Sequence, residues 1–235
     1  MARVEYKKKQ KVSMRLVRFV RTLLRNRKTK AGSSAATRRA QSLVEFAVFL
    51  PIFIMLVSGI TEFGFMLNYY LTLLDGTRES ARLFSNFTPF EEPPTGQNCN
   101  FDGDANCDNE AFYQGAAAAV IDAIEPLELD PAADDVIISV FSITEDGSVS
   151  RFPSDTGEWR WYNNHASRLS TEEIASRLNT NAPATGALLV EVFYDYHQVL
   201  KLPWLLVFVS DPVTLHAYSI MPLSAAEPTP TPMSP

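Results

Sequence analysis

The stretch from Leu43 to Leu74, LVEFAVFLPIFIMLVSGITEFGFMLNYYLTLL, constrains this chain more than any other. From Phe46 to Thr61 no residue carries a formal charge, Glu62 then interrupts, and Phe63 to Leu74 is uncharged again. A membrane-spanning helix needs about 20 predominantly apolar residues, and with Glu62 counted in, this stretch exceeds that length. Apolar side chains fall on every face of the helix and leave none for water, which weighs against a core helix of a soluble domain. The expectation is a single transmembrane helix that continues beyond the bilayer. A cleaved secretory signal is the competing reading, but its apolar core is shorter, about 7–15 residues, and ends in a small-residue cleavage site that is not obvious here.

Charge gives the helix a direction. Residues 1–42 hold 14 Lys and Arg against the single acid Glu5, a net charge of +13, while the rest of the chain holds 7 bases and 26 acids, a net charge of −19; the whole carries −6. Basic residues stay on the cytoplasmic side of a span. The N-terminus is therefore expected inside and the residues beyond about 75 outside, with the protein crossing the cytoplasmic membrane once.

Two carboxylates within or beside a bilayer each need a physical reason. Glu45 and Glu62 are seventeen residues apart, or about 25 Å along a helix, near the thickness of the hydrocarbon layer. One reading places them at the inner and outer boundaries. The sharper one gives Glu45 a cationic partner in another subunit. Pro51, which has no N–H to donate, predicts a kink between them.

Ala40-Gln41-Ser42-Leu43-Val44-Glu45-Phe46-Ala47, then Leu50-Pro51, Gly59-Ile60-Thr61-Glu62-Phe63-Gly64, Tyr70-Leu71 and Asp75-Gly76-Thr77-Arg78-Glu79-Ser80-Ala81-Arg82 together resemble the N-terminal signature of TadE-like proteins, minor pilins or pseudopilins of tight-adherence (Flp-type) pilus systems. The resemblance implies a prepilin peptidase cutting between Ala40 and Gln41, with Ala40 standing where the family usually has Gly. Glu45 would then be the fifth residue of the mature chain. It also implies that Glu45 and Glu62 serve subunit assembly. The new amino terminus at Gln41 would be neutralised by Glu45 of a neighbour, a pairing that makes two otherwise costly buried charges tolerable. The implied partners are the lipid bilayer, other pilins, the pilus assembly platform proteins and the peptidase.

Four regions are expected: a basic cytoplasmic leader at 1–42, the transmembrane and emerging helix at 43–84, an extracytoplasmic α+β domain at 85–221, and a Pro-rich disordered tail at 222–235. In the leader, SMRLVRFVRTLLRNRK (residues 13–28) places Leu16, Val17, Phe19, Val20, Leu23 and Leu24 near helical spacing with arginines in the gaps, a basic amphipathic helix for anionic lipid or a cytoplasmic partner. No aromatic interleaving or recognition motif accompanies this charge, so no nucleic acid is expected as a partner.

Asn86 to Asn109 has loop composition and contains Cys99 and Cys107, a pair expected to form a disulfide if the loop lies outside the cytoplasm. Asp102, Asp104 and Asn106 begin like a calcium loop, but Cys107 sits where glycine is required and Tyr113 where the closing glutamate belongs, leaving a weak candidate. Beyond it the patterns predict a helix over 110–124, strands over 136–143, 149–152, 188–199 and 213–221, and a short helix opened by the capping box Ser170-Thr171-Glu172-Glu173. The result is an α+β head with an antiparallel sheet, pilin-like by the resemblance. Trp159 and Trp161 read as core residues, with glycan binding as the alternative. Pro203–Val209, PWLLVFV, is too short to span and reads as a buried strand or loop, with an interfacial or subunit-contact patch as the alternative.

His165, His197 and His216 lack metal-ligand spacing, and no phosphate loop or nucleophile elbow is present. Glu191 and Asp195 read as charges on the exposed face of a strand. Neither catalysis nor a cofactor is expected. Two functions follow: a structural component of a tight-adherence pilus or related surface secretion machine, or a standalone single-pass anchor presenting an extracytoplasmic binding module.

Overall fold

The computed structural model describes residues 34–91, 107–143, 147–153, 156–179 and 185–223, with side chains from Gln41 onward except Ser42. The basic helix of the leader, Cys99, Asp102, Asp104 and Asn106 lie outside the described residues, as do residues 224–235 of the tail. Contacts divide the chain into two compact units with the boundary between Ser58 and Gly59.

The first element, α1 (Ser34–Phe84), is a single helix of 51 residues. Pro51 lies inside it, and the helix is unbroken on either side. From Leu43 to Val57 every residue is exposed, including Phe46, Phe49, Ile52, Phe53 and Leu56. Among the described residues α1 is the one helix long and apolar enough to cross a membrane.

The second unit is α+β. It holds α2 (Glu110–Ala123), β1 (Asp135–Ile143), β2 (Val149–Phe152), β3 (Trp159–Arg160), α3 (Thr171–Ala175), β4 (Gly186–Tyr196), a 3₁₀ turn (Leu205–Val207) and β5 (Val213–Leu223). The sheet is antiparallel in the order β2-β1-β4-β5, with β3 also paired to β1. Local chemistry explains the helix starts. Asn109 caps α2 by accepting from Phe112 N, and Ser170 caps α3 by accepting from Glu173 N. Gly147, at φ +81°, supplies a conformation that L side chains resist in the β1–β2 turn.

One face of the sheet, with Val136, Ile138, Val140, Leu188, Val190 and Val192, packs on Leu73 and Ala81 of α1 and on Phe112, Ala116, Ala117 and Val120 of α2. The opposite face buries Phe141, Ala187 and Leu189 under Leu169 and Ile174. Strand β1 is therefore buried along its whole length. Buried carboxylates hold the intervening loops. Asp135 accepts from Tyr162 N, Asn164 N and His165 N at 2.8–3.0 Å. Asp134 accepts from Asp130 N and Asp195 N, both at 2.7 Å, although its burial pushes its carboxyl above the usual aspartate range.

Three expectations require correction. Glu191 does not lie on an exposed face: it is fully buried, because the segment carrying Ser167 and Arg168 covers the second face of β4. Residues 203–209 do not form a buried strand; they make a 3₁₀ turn in which Val207 and Phe208 are 78% and 77% exposed. The last strand continues to Leu223, with Pro222 opposite Ala187, two residues into the expected tail.

Candidate assembly and anchoring site

The candidate residues read from the sequence concentrate on α1, and the structure gives them unlike surroundings. Ala40 and Gln41 are consecutive residues inside the helix. The Glu45 carboxylate is exposed, and among the described residues its side-chain partner is Gln41 Nε2, one turn earlier, at 3.1 Å. An amide at this distance from an exposed carboxylate is a modest neutral-to-charged contact. The carboxylate stands among exposed Leu43, Val44, Phe46, Val48 and Phe49.

Glu62 is buried, with 4% of its surface exposed. One carboxylate oxygen accepts from the Tyr196 hydroxyl at 2.6 Å and Val199 N at 2.8 Å, and the other accepts from Leu200 N at 2.9 Å. These donors come from the end of β4 and the turn after it. Glu62 thus finds its partners in its own chain, where it ties α1 to the sheet across more than 130 residues of sequence. Three donors on one anion make its burial tolerable. The Tyr196 phenol is pushed well above the usual tyrosine range, first by burial and second by its bond to the Glu62 anion. Tyr69 of α1 packs edge-on against the Tyr196 ring at 5.2 Å. Sequence reasoning missed Tyr196 as a partner; its one signal was its position at the end of an alternating strand.

Toward its C-terminal end, α1 makes a close seam with α2. Gly76, Thr77, Ser80 and Ala81 are buried, whereas Asp75, Arg78, Glu79 and Arg82 face outward in i,i+3 ion pairs of 3.6 and 2.7 Å. Gly76 is required by the approach of the helices, since a Cβ there would stand 2.4 Å from Ile124 Cγ2. Ser80 Oγ donates to Ala116 O at 2.6 Å. The Asp75–Arg82 motif is thus an alternation of small buried residues and charged outer ones at helical spacing.

Beside Glu62, Gly59, Phe63 and Met66 of α1 line an apolar pocket of about 180 Å³ with Tyr196, Leu205 and Val209. Trp204 lies against Gly59, with Cη2 3.2 Å from where a Cβ would be. The loop from Leu202 to Ser210 carries no charge.

The remaining candidates are scattered. Cys107 is buried, and no cysteine among the described residues is free. Trp159 and Trp161 are half-buried against the core, 5.8 Å apart in an edge-on pair. His165 Nε2 lies 2.8 Å from Ala133 O, and His197 Nδ1 lies 3.2 Å from Asp211. His216 Nε2 lies 2.9 Å from Glu191, which also accepts from Ser167 Oγ and Arg168 N. Among the described residues no group of three or more His, Cys, Asp or Glu side chains is arranged to hold a metal.

Comparison with curated proteins and with solved structures finds no match. The family model for TadE-like protein matches residues 40–82, less than a fifth of the chain. The matched stretch begins at Ala40 and ends at Arg82, enclosing Glu45, Glu62 and the Gly76–Ser80 seam. Over this segment of α1, the chain is similar to TadE-like protein.

Proposed function

We propose that this chain is a pseudopilin or minor pilin that contributes to the assembly of a tight-adherence pilus or related surface secretion machine. α1 anchors it in the cytoplasmic membrane, with the basic leader inside and the α+β head outside. The role is structural rather than catalytic. The single observation that carries the reading is the coincidence of the TadE-like match with a helix that is apolar and exposed through Val57, bears an exposed carboxylate at Glu45, and passes into a sheet-packed head. An exposed anion on an apolar helix surface is costly in lipid until a cation meets it. The amino group released by cleavage between Ala40 and Gln41 in a neighbouring subunit is that cation, and a prepilin peptidase is the enzyme that releases it. Other pilins and the assembly platform are the partners such a helix packs against.

N-terminal sequencing of the protein recovered from membranes tests this directly: a chain beginning at Gln41 is expected. The companion test is Glu45→Ala, which is expected to insert normally but drop out of complexes with other pilins and platform proteins. An intact leader together with normal incorporation of Glu45→Ala would overturn the proposal.

A further inference from the structure

Among the described residues of the head, the two most exposed large apolar side chains, Val207 and Phe208, are neighbours in one short loop. Leu206, Val207 and Phe208 are 50%, 78% and 77% exposed, at the 3₁₀ turn in a loop free of charge from Leu202 to Ser210. Exposed apolar residues standing singly need no explanation, but adjacent ones on a protruding turn mark a contact surface. The charges flank the loop: Lys201 before it and Asp211 after it, the latter accepting from Gln198 N at 3.2 Å and facing His197.

The position of the loop identifies what covers it. Trp204 rests on Gly59, and Leu205 and Val209 share a pocket with Gly59, Phe63 and Met66. Gly59 lies one helical turn before Glu62, inside the uncharged run that ends at Thr61. On that same part of α1, Ile60 and Phe63 are 65% and 59% exposed. The apolar surface of the helix therefore continues onto the loop at the level where the helix leaves its uncharged run. Trp beside the helix and Lys at the loop's base match the side chains that settle at a lipid–water boundary, the ring at headgroup level and the ammonium reaching toward phosphate.

We infer that the 202–210 loop is a second membrane contact: Leu206, Val207 and Phe208 insert into the outer leaflet beside α1, fixing the head against the bilayer surface. Insertion of a few large apolar side chains adds burial in the acyl boundary without a further span. This inference rests on the membrane reading of α1, and its test separates the two.

The full chain carrying Val207→Cys, Ile52→Cys or Glu172→Cys is labelled with an environment-sensitive fluorophore and reconstituted into phosphatidylethanolamine–phosphatidylglycerol vesicles; unsubstituted protein gives the labelling background. Position 52 lies on the exposed apolar part of α1, and position 172 is exposed on α3. Expected is a blue-shifted emission at 207 that loses most of its intensity to lipids brominated near the headgroup, with position 52 quenched by lipids brominated deep in the chain and 172 by neither. A label at 207 that stays water-like and open to aqueous iodide while 52 is quenched would overturn the inference and leave the span standing. A label at 207 shielded from both iodide and brominated lipid would also overturn it, because protein rather than lipid would then cover the loop. Lack of lipid quenching at 52 as well as 207 would remove the span and the inference together.

Discussion

The two halves of α1 differ in what their side chains meet. From Leu43 to Val57, large apolar side chains predominate and every residue is exposed. Toward Phe84, small side chains on one face approach α2 and the sheet closely, while charged ones pair on the other. The same contrast divides the two glutamates, one exposed and the other enclosed by three donors of its own chain. A carboxylate that its own fold has satisfied serves folding; one left open on an apolar surface is available to a partner. The difference predicts that changes at the two positions fail in different assays.

Glu45→Ala carries the largest expected effect, loss of assembly, yet the thermal unfolding of the head in detergent is expected to stay within about 0.5 kcal/mol of the parent, as for an exposed site. A destabilised head in this variant would break the comparison. Glu62→Ala reverses the pattern. Removing the anion strands the Tyr196 hydroxyl and two backbone N–H groups, and a loss of about 3–5 kcal/mol is expected from chemical denaturation followed by near-UV circular dichroism. An unchanged midpoint would show that Glu62 does not hold α1 to the sheet.

Gly76→Val tests the seam rather than the glutamates. Its side chain would have to displace Ile124, at an expected cost of about 1–3 kcal/mol, read as faster proteolysis of the head in micelles. Proteolysis at the parental rate would mean that the two helices tolerate separation.

Tyr196→Phe is the gentlest change, with an expected loss of about 1–2 kcal/mol for one hydrogen bond to a charged acceptor. It also carries a pH signature. The folded phenol keeps its proton to higher pH than the unfolded one, whose ordinary value is about 10. Its contribution is therefore complete below that value and is lost as pH rises through the raised folded value, because the unfolded state then binds fewer protons than the folded one. Replacement by Phe should flatten this alkaline loss. Parallel curves for the two proteins would assign the alkaline transition to other groups.

Much of the architecture was legible because it is local. The length and composition of Phe46–Thr61 announce a membrane-type helix whatever follows. Ser170 caps its helix through a bond to a residue three positions away. The β-branched run in β1 and the short run 149–152 announce two strands, which the structure pairs antiparallel. The Asp75–Arg82 motif was visible as a string of residues, but its division into a buried seam and an outer ion-paired face required α2 in place.

Where sequence reasoning failed, the missing information lay far away along the chain. Alternation in β4 correctly separates two faces, but nothing in those residues states that both faces are covered, so the sequence alone points Glu191 toward water. The burial of PWLLVFV was inferred from apolarity alone, whereas its exposure depends on which side of the head the loop emerges. Glu62 announced that it needed donors without naming them. By itself, the order of residues determined the apolar length of α1, its flanking charge, the helix caps and the strand periodicity, because each is decided within a few residues of covalent neighbourhood. Only tertiary structure decided that Tyr196, Val199 and Leu200 close on Glu62 while Glu45 stays open, because hydrogen bonds and burial depend on what folding brings together, not on what the chain places side by side.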